Sequence, residues 1–194
     1  MAVSAWQATL ALLLLACLAS FAWGMRNFFA QPAGTTAGMK VVSTCGVLFA
    51  ALHLFAILVT TSIGPERGLV GIVLYCWSLG LFWWAIKTNS SARLSAAFSP
   101  DVPVHLVKDG PYRVIRHPFY CSYVLAWLSG TIATSRWWLL PTVAVMLMIY
   151  WKAASIEEEK FSRSSLAAEY QMYRERTSWL VPNPMKLLLA RRSQ

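Results

Sequence analysis

The sequence predicts an all-α protein that is embedded in a membrane and crosses it five times. Of its 194 residues, 57 % are hydrophobic and 13 % are charged, which is too apolar for an ordinary soluble domain. The apolar residues form long runs, and the basic residues gather between alternate runs. We therefore expect a single membrane domain over residues 1–194, in which residues 1–87 form a three-span scaffold and residues 88–194 carry the polar chemistry.

Five apolar runs supply the helices. A helix needs about 20 residues to cross roughly 30 Å of hydrocarbon. The runs that reach or approach this length are residues 5–23, 40–61, 69–86 and 137–154. A fifth run, residues 119–134, is short for a span, but only Ser135 and Arg136 join it to its successor. This tight link predicts a C-terminal helical hairpin.

The first run resembles a secretory signal peptide, and "LLAC" (residues 14–17) resembles a lipoprotein cleavage box. Signal peptides carry Lys or Arg ahead of their apolar part. Residues 1–4 contain neither, so we expect this run to be retained as a span.

The net charge of +9 is explained by orientation in the membrane and does not call for a nucleic-acid partner. With the N-terminus outside, residues 25–41, residues 87–117 and the C-terminal segment lie in the cytoplasm and hold two, five and eight Lys/Arg. The two outer loops hold one each, Arg67 and Arg136. This follows the positive-inside rule and suits an anionic inner leaflet. A bacterial inner membrane is the expected location.

Polar residues within the runs are few. The four cysteines (Cys17, Cys45, Cys76 and Cys121) form no close pair, so we expect neither a disulfide framework nor a metal site. His53, midway along the second run, is a functional candidate because ionisable groups inside a membrane usually have a role. The alternative is a neutral histidine that is hydrogen-bonded to a neighbouring helix.

Two cytoplasmic segments flank the hairpin, so the fold must bring them together at its cytoplasmic end. In "RVIRHPFY" (residues 113–120), Pro118 suits the first turn of a helix and places His117 near its N-cap. A helix start attracts carboxylates and phosphates, and Arg116, His117 and Tyr120 add donors. The alternative is that Arg113 and Arg116 bind lipid headgroups and Tyr120 belongs to an aromatic belt.

In "EEE" (residues 157–159), three carboxylates continue the last long helix beyond the hydrocarbon. Carboxylates are unfavourable near a helix C-terminus, which suggests that they await a cation such as a ligand ammonium. The alternative is a solvated helix face with Glu159 paired to Arg163.

A short cytoplasmic amphipathic helix is predicted next, because Leu166, Tyr170 and Tyr173 repeat at helical spacing. The tyrosines most simply serve to pack this helix against the rest of the protein.

These segments together resemble the isoprenylcysteine carboxyl methyltransferase and phospholipid methyltransferase family. The resemblance rests on "LVKDGPYRVIRHPFY" (residues 106–120), then a hairpin, "EEKF" (158–161), "EYQMY" (169–173), "RT" and "VP". It implies an integral membrane enzyme that uses S-adenosylmethionine without a Rossmann domain. The sequence has no G-x-G-x-x-G fingerprint after a strand, which agrees with this.

The resemblance also implies roles for individual residues in the cofactor-binding and catalytic part, residues 88–194. The residues expected to bind the cofactor are Leu106, Val107, Lys108, Gly110, Pro111, Tyr112, His117, Tyr120, Glu158 and Glu159, with both glutamates at its methionine part. Arg116 and Arg176 are expected to face the reacting groups. No metal is implied.

A lipophilic acceptor, either a small molecule or a lipid, is expected to reach the cofactor from the bilayer. A carboxylate of an isoprenylcysteine-like compound is the first candidate, because it is ionised at neutral pH and arginine fixes its oxygens. The alternative is N-methylation of a phosphatidylethanolamine-type phospholipid, in which a carboxylate such as Glu159 assists proton loss. An NADPH-dependent membrane reductase and a non-enzymatic lipid-binding protein are the remaining alternatives.

Overall fold

A computed structural model describes residues 4–30, 36–89, 94–95, 103 and 105–186, with the backbone alone described at 29–30 and 94–95. Parts of the linker 87–117 and of the C-terminal segment, on which the charge argument draws, lie outside these residues. The α-helices are α1 (Ala5–Asn27), α2 (Ala37–Val59), α3 (Pro65–Thr88), α4 (Pro118–Thr134), α5 (Leu140–Ser162) and α6 (Ala167–Arg176). Two 3-10 helices, Gly110–Arg113 and Trp137–Leu139, precede α4 and α5, and strands β1 (Phe29–Ala30) and β2 (Leu94–Ser95) pair in parallel.

Four helices are long and apolar enough to cross a membrane: α1, α2, α3 and the continuous helical stretch Trp137–Ser162. Four of the five expected runs are thereby confirmed as candidate spans. The fifth run is helical as α4, but its 17 residues reach only about 26 Å at about 1.5 Å per residue. The fifth crossing, the orientation of the termini and the cytoplasmic place of α6 stay predictions.

The N-terminus of α1 is fixed by a reciprocal cap. Ser4 Oγ accepts from the Gln7 backbone N–H, and Gln7 Oε1 accepts from the Ser4 backbone N–H, which satisfies two donors that the helix leaves free. The Gln7 side chain also donates to the carbonyls of Ile57 and Leu58. The cap therefore ties the start of α1 to the end of α2.

Helix α4 is the central helix, and small residues let α3 approach it closely. A Cβ on Gly71 of α3 would lie 2.6 Å from the Cβ of Ala133, so only glycine permits this approach. Ser78 Oγ of α3 donates to the Ser122 carbonyl of α4 at 2.7 Å. These contacts fix the position of α4 and hence of its N-terminus, where the predicted motif lies.

His53 is fully buried and its Nε2 lies 3.0 Å from Thr142 Oγ1 of α5. The Thr142 hydroxyl donates its one hydrogen to the Leu139 carbonyl at 2.7 Å, so it must accept from His53 Nε2–H. His53 is therefore hydrogen-bonded to a neighbouring helix. Its Nδ1 and the Tyr75 hydroxyl are buried without hydrogen-bond partners in the described structure, and both lie beside Gly130.

A core of aromatic residues lies beneath the N-terminus of α4 and joins the two predicted parts of the chain. Its members include Phe28, which follows α1, and Phe82 of α3, together with Phe119, Tyr123, Tyr150, Tyr170 and Tyr173 from the later helices. Tyr170 and Tyr173 are the buried residues of α6. The core thereby supports the polar groups that gather above it.

Candidate active site at the N-terminus of α4

The Arg-His-Pro turn (residues 116–118) is held in place by the C-terminal segment. Arg116 N–H donates to the Ser178 carbonyl at 2.8 Å, and His117 N–H donates to the Trp179 carbonyl at 3.3 Å. In return, Ser178 N–H donates to the Val114 carbonyl at 3.1 Å. His117 is the N-cap of α4 and Pro118 is its first residue, as expected from the missing N–H of proline. The turn therefore depends on residues some 60 positions later in the chain.

Glu158 is the centre of a charged group that links the turn to α5 and α6. Its Oε1 accepts from Arg116 Nε at 3.0 Å and lies 3.0 Å from His117 Nε2. Its Oε2 lies 3.6 Å from Arg174 Nε. The Arg116 and Glu158 side chains are only 8 % and 15 % exposed, so their attraction is less screened by water than that of a surface pair. We call Arg116, His117, Tyr120, Glu157, Glu158 and Arg174 the Glu157–Glu158 cluster.

Glu157 completes the cluster from the next position on α5. Tyr120 O–H donates to Glu157 Oε1 at 2.6 Å, and Glu157 Oε2 lies 3.4 Å from His117 Nδ1. The run of three glutamates is evident in the sequence, but Glu157 is not among the residues predicted from it for the site. The sequence does contain a signal for Glu157. Neighbouring residues on a helix project about 100° apart, so two adjacent glutamates can each face a different nitrogen of one histidine.

The cluster favours the protonated form of His117. Burial opposes the charge, but the hydrogen bonds and the negative charges of Glu157 and Glu158 outweigh it, so the pKa of His117 lies above its ordinary value. A protonated imidazole has N–H donors on both nitrogens, which matches a carboxylate oxygen near each. The site therefore contains two arginines, Arg116 and Arg174, and a histidine whose protonated form is favoured, beside two carboxylates.

Arg116 also binds the C-terminal end of α6. Its Nη1 donates to the Thr177 carbonyl at 2.7 Å and to the Arg174 carbonyl at 3.3 Å. Lys186 Nζ donates to the same two carbonyls. Cations are favourable here because the last carbonyls of a helix have no partners within it and carry the negative end of its dipole.

The predicted cofactor loop, residues 106–112, runs alongside this cluster. Gly110 has φ of +55°, and a Cβ there would lie against Thr88, so the turn requires glycine. Pro111 and Tyr112 are buried, and the Tyr112 carbonyl accepts from Tyr173 O–H at 2.9 Å.

The rest of this loop is tied to the core and to α6. Leu106 and Val107 pack partly buried against the aromatic core. Lys108 pairs with Glu169 of α6. The loop and α6 are thus joined on the same side of the protein.

Two predicted site residues lie apart from the cluster. The Glu159 side chain is 55 % exposed and pairs with Arg163 one turn later, which is the alternative that sequence analysis left open. Arg176 is exposed at the end of α6. Arg174, which sequence analysis did not select, is the arginine of α6 that approaches Glu158.

Aromatic rings pack against the cluster. The Tyr120 ring stacks on Tyr150 of α5 and on His117, with centroids 5.5 and 5.6 Å apart. Phe161 stacks on Tyr170 at 4.7 Å. The charged side chains of the cluster therefore pack next to stacked aromatic rings, an arrangement that suits a ligand with both polar and planar parts.

In the part of the chain that the structure describes, no group of three or more His, Cys, Asp or Glu has a geometry that would hold a metal ion.

A family model described as phospholipid methyltransferase matches residues 67–168, just over half of the chain. The match begins within α3 and ends within α6, so it includes the Arg-His-Pro turn, the hairpin of α4 and α5, and Glu157 and Glu158. No curated protein sequence matches the chain.

Proposed function

Because the chain belongs to the phospholipid methyltransferase family, we propose that it transfers the methyl group of S-adenosylmethionine to a lipophilic acceptor dissolved in the membrane. Membership implies a methyltransferase, and four long apolar helices are those of an integral membrane protein. The identity of the cofactor, the identity of the acceptor and the residues that bind them are proposals.

The observation that carries the proposal is the Glu157–Glu158 cluster. The methionine part of S-adenosylmethionine has one ammonium and one carboxylate. The cluster offers groups of both signs within one partly buried site, with Glu158 near three cations and Glu157 beside His117. This donor set fits the amino-acid part of the cofactor, and the neighbouring aromatic rings suit its planar adenine.

The proposed cofactor site extends along the loop that packs beside the cluster. Its residues are Leu106, Val107, Lys108, Gly110, Pro111, Tyr112, His117, Tyr120, Glu158 and Glu159. Glu159 is the outermost of these, and Arg176 is proposed to face the acceptor from the end of α6. Since both side chains are exposed, variants at these positions test the assignment without disturbing the core.

Little chemistry is required of the protein. S-Adenosylmethionine supplies a methyl group that is already activated by its sulfonium, so displacement depends mainly on placing donor and acceptor in line. Arg116, His117 and Glu158 are proposed to orient the amino-acid part. The aromatic rings beneath them are proposed to exclude water, which strengthens these polar contacts.

A phospholipid amine is our first choice of acceptor. The family description favours it, and Arg116 is already engaged by Glu158 and by two carbonyls, which leaves it less able to bind an anionic acceptor. An amine must lose a proton on methylation, and Glu159, an exposed carboxylate of α5, is the proposed base. The carboxylate of an isoprenylcysteine-like compound is the second candidate, which rests on Arg116 and Arg176 as a pair of anion-binding arginines.

The test is transfer of labelled methyl from S-adenosylmethionine by the full chain in liposomes that contain phosphatidylethanolamine or, separately, a prenylated cysteine. Amine methylation leaves the label non-volatile on the headgroup nitrogen after mild alkali, whereas a methyl ester releases it as volatile methanol. We expect alkali-stable label, reduced in Glu158→Gln at the same cofactor concentration. Alkali-labile label would establish the carboxylate acceptor, and the absence of label in every lipid would overturn the proposal of a lipophilic acceptor.

A further inference from the structure

Glu157 lies between two residues of the turn and uses one oxygen for each. Tyr120 O–H donates to Oε1 at 2.6 Å, and His117 Nδ1 lies 3.4 Å from Oε2. The side chain is 25 % exposed. Since the rings of Tyr120 and His117 also stack on each other, a single carboxylate fixes both members of a stacked pair.

His117 is held from both sides. Glu157 faces Nδ1, and Glu158 lies 3.0 Å from Nε2. A neutral imidazole has one N–H and one bare nitrogen, so one of its nitrogens would point a lone pair at a carboxylate. The arrangement is satisfied on both sides only when His117 is an imidazolium.

The two carboxylates differ in how far their charge is already balanced. Glu158 has Arg116 at 3.0 Å and Arg174 at 3.6 Å. The charged partner of Glu157 among the described residues is His117. The rings of Tyr120 and Trp179 also face His117, and both are uncharged. Among the described residues, Glu157 therefore has His117 as its one charged partner, whereas Glu158 shares its charge between His117 and two arginines.

We propose that Glu157 is a positioning residue of the transfer site: it keeps His117 protonated and aligned with Tyr120, and thereby sets the upper pH limit for cofactor binding. The proposal rests on the proposed function for its effect on binding. Its effect on His117 is independent of any ligand. Burial opposes protonation, and the hydrogen bonds and charges of Glu157 and Glu158 raise the pKa of His117, which agrees with the geometry.

The first measurement is the titration of His117 by NMR in the full chain in detergent. The sequence has three histidines, so the His117 signal is identified by its loss in His117→Gln. Glu157→Gln retains an acceptor for Tyr120 but removes the charge, and we expect proton binding by His117 to weaken about tenfold, one unit in pKa. Glu157→Asp should give a smaller shift. Glu175→Gln, which removes an exposed carboxylate on α6, is the matched control. In this variant His117 should titrate with the same midpoint as in the wild type.

The second measurement is S-adenosylmethionine affinity as a function of pH. Below the His117 midpoint of both proteins, Glu157→Gln and the wild type should bind within about twofold of each other. The difference in affinity should grow between the two midpoints and approach about tenfold above both of them, with the variant binding more weakly. A residue that only supports the fold would lower affinity equally at every pH.

The outcomes separate the two proposals. An unchanged His117 midpoint in Glu157→Gln, or an equal loss of affinity at all pH values, overturns the role of Glu157. If the wild type binds no S-adenosylmethionine at any pH, the proposed function fails and the role of Glu157 in binding fails with it. The His117 titration still decides whether Glu157 holds the imidazolium.

Discussion

Glu158 and Glu159 are adjacent in sequence but differ sharply in environment. Glu158 is 15 % exposed and faces three cationic side chains, whereas Glu159 is 55 % exposed and pairs with Arg163. Their difference follows from the rotation of about 100° between successive residues of a helix.

Glu158→Gln should weaken S-adenosylmethionine binding roughly ten- to a hundredfold, since loss of a charge-assisted contact costs about 1.5–3 kcal/mol. Glu159→Gln should have a smaller effect. Calorimetric titration in detergent measures both, with Glu175→Gln as the control for removal of a carboxylate. Equal losses at the two positions would contradict the arrangement described for α5.

Protonation of His117 should also make stability depend on pH. Its pKa is raised in the folded protein, so the imidazolium contributes stability in full below the ordinary value of about 6.5. This contribution is lost as the pH rises through the raised value. The unfolding midpoint at a fixed scan rate should therefore fall as the pH rises above about 6.5, and His117→Gln should reduce that fall. If the unfolding midpoints of the two proteins fell in parallel as the pH rises, protonation of His117 would not contribute to stability.

The sequence predicted residues that the structure brings together, but not how they pair with one another. Arg116, His117 and Glu158 were predicted from a local motif and a run of carboxylates, and the structure brings them together. Which of the glutamates faces inward depends on the rotation of α5, which distant packing sets. Arg174 was missed for the same reason, because the approach of α6 is fixed by bonds from Arg116 and Lys186 to its last carbonyls.

Helix α4 shows that an apolar run predicts a helix but does not tell whether the helix faces lipid or other helices. The run 119–134 correctly predicted the helix, and Pro118 correctly predicted its start. Its apolar composition resembles that of a lipid-facing helix, yet 11 of its 17 residues are buried by neighbouring helices. The small residues on its surface, such as Ser122, Gly130 and Ala133, allow this close packing.

Gly130→Ala should destabilise the bundle. The added Cβ would lie 2.7 Å from His53 Nδ1 and 3.1 Å from the Tyr75 hydroxyl. Overpacking of this kind costs about 1–3 kcal/mol. The matched control is Gly80→Ala on α3, where nothing lies within 4 Å of the new Cβ. That change should stabilise its helix by up to about 1 kcal/mol.

Thermal unfolding in one detergent compares the two variants directly. A midpoint for Gly130→Ala at or above that of Gly80→Ala would show that the contact between His53, Tyr75 and Gly130 is looser than described. The comparison isolates packing, because the same atoms are added in both variants.

Across the bundle, the distribution of charge predicts the N-terminus outside and the C-terminal segment in the cytoplasm. Single cysteines can test this in a cysteine-free background, at exposed Ser62 between α2 and α3 and at exposed Ser165 before α6. An impermeant thiol reagent applied to intact cells should label Ser62→Cys and spare Ser165→Cys. The reverse pattern would place the Glu157–Glu158 cluster on the outer face.

The backbone bonds that join Val114, Arg116 and His117 to Ser178 and Trp179 also determine the order in which the protein is assembled during synthesis. A ribosome completes every long apolar helix before it reaches Ser178, and the N-terminal part of a chain folds first. Membrane integration is therefore finished before the turn acquires its backbone partner. A premature stop codon between residues 163 and 177 would yield a product that inserts normally in the membrane yet contains an incomplete site.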